Sequence, residues 1–383
     1  MPLEPFDYHP RTRLVFGPGS IGRLGELARE NGARKVLLVT DPGIVKAGHV
    51  SRALKSLEEV GLETALFDGV AESPTTLHVD AGLKVAKAEK MDFLVGLGGG
   101  SAMDCAKGIN FLYSCGGEIR DYWGVGKATR PMLPMIAAPT TAGTGSESQS
   151  FALISDPVTH QKMACGDKLA ACRVAILDPE LTLTQPRPVT AATGIDAISH
   201  AVETYVTLRR NPFSRMLSRE AWKLLSGSFE RVLAAPDDLE ARGRMLLGAS
   251  LAGAAIENSM LGATHSAANP LTARFGAVHG HAIGILLPHI VRFNQEVVED
   301  DYRELLEARG YKSSSSERAG ETLARLLEDL YSRTGLPARL KDYGVDEGCL
   351  EELAGEAETQ WTASFNPRPV TQPDFVEVYR CAL

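Results

Sequence analysis

Short apolar runs alternate with stretches of helical periodicity from Arg34 to about Thr184. The clearest runs are Lys35 to Thr40, Phe93 to Leu97, Met135 to Ala138 and Val174 to Leu177, each followed by Asp, Gly or Pro. They are too short and too evenly apolar to be amphipathic helices, and they suit strands covered on both faces. Strands that alternate with helical segments predict a mostly parallel sheet flanked by helices. In such a sheet ligands bind beyond the carboxyl ends of the strands, so chemistry is sought in the residues that follow these four runs.

The alternation stops at Gln185-Pro186-Arg187-Pro188. Downstream, Ala191 to Val206, Pro212 to Leu225, Leu239 to Glu257 and Glu317 to Thr334 carry apolar residues at helical spacing. Two domains are expected: an α/β domain over residues 1–184 and an all-helical one over 185–383. The Ser313-Ser314-Ser315-Ser316 run predicts a solvated loop whose last serine could cap the next helix.

Three segments of the first half suggest nucleotide binding. Gly98-Gly99-Gly100-Ser101 follows a predicted strand and opens a helix, where free amides and the positive end of the helix dipole attract an anion. A plain strand-to-helix turn needs one or two glycines; three in succession point to a pyrophosphate cradle. Pro139 to Glu147 follows the next strand and sets Thr140, Thr141, Thr144 and Ser146 among small residues, where hydroxyls could meet phosphate or ribose oxygens. Asp41 ends the first strand, where a carboxylate accepts from a ribose 2′-hydroxyl and repels a 2′-phosphate, favouring NAD over NADP. Gly17-Pro18-Gly19-Ser20-Ile21-Gly22 is formally G-x-G-x-x-G, but Pro18 removes an amide, and the segment reads as a glycine turn into a surface helix.

The helical half carries a metal signal. In Gly194 to Glu203, Asp196 and His200 stand four residues apart on one helix face, in a segment otherwise largely apolar. A carboxylate there is costly unless paired or metal-bound. His265 and His279 lie in two further stretches of small residues, and one Asp with three His forms a mixed oxygen and nitrogen set suited to Fe(II) or Zn(II). His281, two positions after His279, points to another side of a helix. His9, His49, His78 and His160 stand in polar or loop-like contexts, and His289 reads as structural support.

Composition narrows the partners. The formal charge of -8 provides no positive field for nucleic acid or anionic lipid. Apolar stretches fall short of the roughly 18 residues a membrane helix needs, and the N-terminal residues carry no secretory pattern. The six cysteines include no C-x-x-C pair and are expected to be reduced, mostly buried thiols of a cytoplasmic protein.

The order Thr40-Asp41, Gly98 to Ser101, Pro139 to Glu147, Gly194-Ile195-Asp196 to His200, and His265 to His279 resembles the iron-dependent (group III) alcohol dehydrogenases over nearly the whole chain. The resemblance implies a dehydroquinate synthase-like architecture, with NAD(P) and a divalent metal in a cleft between an α/β and a helical domain. It implies metal ligands at Asp196, His200, His265 and His279, pyrophosphate contacts at Gly98, Gly99, Gly100 and Ser101, and further nucleotide contacts at Asp41, Thr140, Thr141, Thr144 and Lys162. It implies Lewis-acid-assisted hydride transfer between a small alcohol and its aldehyde or ketone, and a homodimer. The glycine turn Gly17 to Gly22 also matches the family, in which it is not the pyrophosphate loop. Asn269 departs from the pattern: many members have a histidine there, and asparagine cannot shuttle a proton at neutral pH, so water, His281 or the nucleotide ribose must take over or the substrate differs. Relatives resembling glycerol dehydrogenase or dehydroquinate synthase use other metal ligands, so the complete Asp-His-His-His set argues against them. A nucleotide-binding protein with a structural metal is the rival from another class.

Overall fold

The computed structural model describes residues 5–159, 161–311 and 317–383; His160 and the serine run Ser313 to Ser316 lie outside them. The chain divides into two compact units, one His9–Gln185 and the other Pro186–Leu383 joined by the N-terminal residues up to Tyr8. Phe6 and Tyr8 pack against Phe213, with ring centroids 5.5 and 4.3 Å away, which is why the N-terminus belongs to the helical unit.

The unit His9–Gln185 contains strands β1 (Arg13–Phe16), β2 (Lys35–Val39), β3 (Glu63–Phe67), β4 (Phe93–Gly98), β5 (Gly124–Val125), β6 (Met135–Pro139), β7 (Phe151–Ser155), β8 (Lys162–Gly166) and β9 (Val174–Leu177). Its helices are α1 (Leu24–Glu30), α2 (Pro42–Lys46), α3 (His49–Glu58), α4 (Thr76–Glu89) and α5 (Gly100–Cys115). Six strands form a parallel sheet in the order β1-β9-β6-β4-β2-β3. Side chains alternate between its faces. Val36, Leu38, Val95, Ile136 and Ile176 meet α1 and α3 in one core, while Leu37, Val39, Leu94, Met135 and Ala137 meet α4 and α5 in the other. Coverage of both faces explains why β2, β4, β6 and β9 read as continuous apolar runs. Gly98 pairs with Pro139, so β4 and β6 end level and the loops after them lie side by side.

A second sheet, β5-β8-β7, contains an antiparallel hairpin that the apolar pattern did not predict. Its apolar runs, Phe151 to Ile154 and Met163 to Cys165, are short, and Gly166 is there because a Cβ would stand 2.3 Å from the Phe151 ring.

The described residues of Pro186–Leu383 form helices α6 (Arg187–Val206), α7 (Pro212–Ala234), α8 (Leu239–Ser259), α9 (Ala263–Phe275), α10 (His279–Ala308), α11 (Ala319–Ser332), α12 (Leu350–Glu358) and α13 (Gln372–Ala382). Asn211 starts α7 by accepting from the amides of Phe213 and Ser214, with Pro212 in the first turn where a missing N–H costs nothing. Helix α6 is buried nearly from Thr190 to Val206, as its run of Ala, Gly and Ile allows. Gly280 lets α10 approach it: a Cβ there would stand 2.2 Å from the Ala192 carbonyl oxygen. No described helix is long and apolar enough to cross a membrane. The cysteines are free; Cys105, Cys165 and Cys172 are buried, Cys115 and Cys349 half-buried, and Cys381 exposed.

Candidate functional site

In the unit His9–Gln185 the predicted nucleotide residues other than Lys162 sit at or just beyond the carboxyl ends of β2, β4 and β6. Gly98 ends β4 at φ +150°, a backbone that side chains rarely adopt, and α5 begins at Gly100. The Thr140 amide donates to the Gly98 carbonyl at 2.9 Å, fastening the two loops together. A Cβ on Gly100 would meet the Thr144 side chain at 2.8 Å, and one on Gly99 would touch Thr141. The first-turn amides of Gly100 and Ser101 find no acceptor among the described residues and stand at the positive end of α5.

Asp41 caps α2, its Oδ1 accepting from the amides of Gly43 and Ile44 at 2.8 and 3.1 Å. Its Oδ2 faces Gly98, whose Cβ would lie 3.4 Å away. Lys162 is exposed at the start of β8, opposite Ser155. Behind the loops, fully buried Lys107 donates to the carbonyls of Ser146, Gln149 and Phe151 and to Ser146 Oγ, all within 2.9 Å. Asp104 accepts from the same hydroxyl at 2.6 Å; its own burial pushes its carboxyl above the usual range. Neither Asp104 nor Lys107 was singled out in the sequence, although Asp-x-x-Lys one turn into a glycine-started helix is a legible pattern.

The unit Pro186–Leu383 gathers the other set. Asp196 and His200 share a face of α6, His265 lies in the first turn of α9, and His279 is the first residue of α10. Asp196 Oδ1 is the centre of the group: His200 Nε2 is 3.4 Å from it, His265 Nε2 3.5 Å and His279 Nε2 3.7 Å. His200 Nε2 and His265 Nε2 face each other at 3.1 Å. Asp196, His200 and His265 are buried, and the His279 side chain is 29% exposed, which leaves one side open.

These spacings fit a cation better than a hydrogen-bond network. A charge-assisted N–H···O⁻ bond runs about 2.7–2.9 Å, shorter than any of the three contacts, and Asp196 Oδ1 completes no hydrogen bond although it is buried. Four ligands about 2.1 Å from one ion at tetrahedral corners would stand about 3.4 Å apart, close to these four distances. Among the described residues Asp196, His265 and His279 offer donor atoms that all lie within 4.8 Å of one another, and His200 joins them through Asp196 and His265. Burial disfavours the ionised Asp196, yet the imidazoles of His200, His279 and His265 together hold its carboxyl well below the usual range. Burial likewise opposes a charged His265, but Glu203 and Asp196 overcome it and raise its pKa to about 9. Without an ion, protonated imidazole balances the two buried carboxylates, Asp196 and Glu203; one divalent ion would take over that balance and leave the imidazoles neutral.

Two models of known families match the chain: iron-containing alcohol dehydrogenase over residues 10–179, and the C-terminal region of the Fe-containing alcohol dehydrogenase family over 190–383. The chain belongs to the iron-containing alcohol dehydrogenase family. It is an oxidoreductase that acts on alcohols with a nicotinamide dinucleotide, and its parallel-sheet unit and helical unit are the architecture of that family. The 1,3-propanediol dehydrogenase of Citrobacter freundii is 34% identical over all of both chains. The NAD-dependent methanol dehydrogenase of Bacillus methanolicus is 34% identical over 96% of this chain and 97% of its own. A solved 1,3-propanediol oxidoreductase superposes with a TM-score of 0.96 at 34% identity, over 99% of this chain and all of the other.

Within this alcohol dehydrogenase, the Gly17 to Gly22 turn is occupied by the protein itself. Asp178 accepts from the Gly19 and Ile21 amides at 3.0 and 3.1 Å, so the donors a phosphate would need are taken. Asn269, one turn after His265, donates to Gln360 Oε1 at 3.1 Å. His281 lies outside the four-residue group and meets the Tyr343 hydroxyl through Nδ1 at 2.5 Å. His49 and His78 are not loop residues. His49 is buried at the start of α3, 2.7 Å from Thr184 Oγ1, and His78 accepts from the Thr75 amide in the first turn of α4. Glu203 escaped the sequence reading, although its place seven residues after Asp196 on the same helix face announced it.

Proposed function

We propose that the protein is an iron- and NAD-dependent dehydrogenase of small alcohols in which Asp196, His200, His265 and His279 hold the metal ion. The observation that carries this reading is the convergence of three imidazole nitrogens on one buried carboxylate oxygen at 3.4–3.7 Å. A divalent ion bound there supplies Lewis-acid polarisation of the alcohol or carbonyl oxygen. The hydride chemistry is the dinucleotide's own, and the chain's task is to bind, orient and exclude water.

The Gly100 and Ser101 amides would hold the pyrophosphate, with Gly98 and Gly99 giving the room and Thr140, Thr141 and Thr144 bracing it. Asp41 Oδ2, the oxygen not spent on capping α2, would accept from a ribose hydroxyl, and its charge disfavours NADP; Lys162 would add a further contact. NAD use also agrees with the Bacillus methanolicus relative. Exposed Leu14 and Phe16 on edge strand β1 support a homodimer, and six free thiols support a cytoplasmic setting. The test is elemental analysis of the purified protein together with NADH or NADPH formation over a panel of primary alcohols and diols. Stoichiometric iron with NAD-linked turnover is expected. Absence of any bound divalent metal in active protein would overturn the ligand assignment, and zinc in place of iron would correct the metal.

A further inference from the structure

We propose that Glu203 is a positioning residue for this reaction: it holds His265 in the tautomer that leaves Nε2 bare toward Asp196, and so sets how tightly the cluster grips its cation. The inference rests on the assignment of Asp196, His200, His265 and His279 as ligands, and it concerns a residue outside that set.

Glu203 follows His200 by three residues on α6 and is buried. Both of its oxygens are engaged. Oε1 accepts from the Thr264 amide at 2.7 Å, and Oε2 meets His265 Nδ1 at 2.5 Å. An ionised carboxylate only accepts, so the hydrogen of that second bond sits on Nδ1, and Nε2, which faces Asp196 Oδ1 and His200 Nε2, is the nitrogen that would give up its proton to offer a lone pair to a cation. The contact is sheltered. Gly262 stands where a Cβ would come within 3.1 Å of Oε1, and the cavity of about 10 Å³ bounded by Glu203, Thr264, Asn294 and Tyr302 has room for no more than about one water. A carboxylate behind a metal-binding imidazole fixes the ring and raises its basicity.

Glutamine separates this role from simple packing. Its carbonyl oxygen can keep the Thr264 amide, which has no other role to adopt, so its NH₂ must face His265. His265 can answer only by accepting at Nδ1 and carrying its hydrogen on Nε2, where the cation would bind. The fold keeps its cap while the metal site loses its lone pair.

Metal-free wild type and E203Q are titrated with Co²⁺ against a chromophoric chelator, the visible Co²⁺ absorption is recorded, and thermal unfolding of both metal-free proteins is followed. The dissociation constant for Co²⁺ is expected to rise about 10–100-fold in E203Q, with a changed absorption band and a metal-free unfolding midpoint close to wild type. Equal affinity and equal spectra in the two proteins would overturn the role of Glu203 alone. So would a metal-free midpoint that falls in step with the affinity. A wild type that takes up no Co²⁺ would overturn the ligand assignment itself, and this inference with it. Should E203Q fail to fold, ¹⁵N-histidine spectra of Zn²⁺-loaded wild type decide: a hydrogen on His265 Nδ1 is expected, and coordination through Nδ1 overturns the proposal.

Discussion

His265 joins both sides of the cluster, touching Glu203 through one ring nitrogen and facing Asp196 and His200 through the other. Replacing it with alanine removes a proposed ligand and leaves Glu203 buried without its partner. His265→Ala is expected to lose its metal by elemental analysis and nearly all NADH formation; full retention of both would remove His265 from the ligand set. At this scale much of the site was legible. Asp196 and His200 stood out because i,i+4 spacing on an apolar helix makes a shared ligand pair one of few stable uses for a carboxylate. His265 and His279 were legible only as histidines among small residues, since nothing in spacing brings α9 and α10 to α6. The approach of α10 depends on Gly280, whose missing side chain reads in sequence as one more glycine.

Among the elements, the contact between the turn after β4 and the loop after β6 offers the sharpest test. In Gly100→Ala the new methyl would meet Thr144 at 2.8 Å, so the loop must give way. Dinucleotide binding should weaken by about 1–3 kcal/mol, roughly 5- to 150-fold, when NADH fluorescence is titrated, with metal content unchanged. Lys107 supports the same loop from within, and Lys107→Met would leave three carbonyls without their donor. A loss of at least about 3 kcal/mol in denaturant unfolding is expected. At the other end of the sheet, Asp92 accepts from the Arg34 and Lys35 amides at 3.0 and 2.9 Å and from the Arg34 guanidinium. Partial burial works against its charge, but these donors win and lower its pKa. A lowered folded value means the stabilisation is complete above about pH 4, where an unfolded aspartate is ionised, and fades as the pH falls through the folded value. Asp92→Asn should therefore cost about 1 kcal/mol at pH 7 and progressively less below pH 4 in urea melts. The buried strands were plain in the sequence because two covered faces demand unbroken apolar runs. The β7–β8 hairpin was legible only in part: Phe151 to Ile154 and Met163 to Cys165 are apolar but run for no more than four residues, too short to tell from loop.

For the whole molecule, the proposed association is the property to test. Sedimentation velocity should give twice the chain mass, and Phe16→Asp on β1 should move the protein toward the monomer; a wild type that stays monomeric at micromolar concentration rules the dimer out. The helical character of the second half followed from periodicity, while the attachment of Phe6 and Tyr8 to it did not, because a few residues before the first strand carry no period to read.

The pairing of β1 with β9 has a consequence for how the chain is made. The earliest strand lies beside the last one of its sheet, and the Asp178 carboxylate that follows β9 is fully buried against the Gly19 and Ile21 amides. A ribosome must therefore deliver some 160 residues before its first strand finds a neighbour, a long wait of the kind that slows folding. Until then the growing sheet stops at β6, whose outer edge stays raw and open to mispairing.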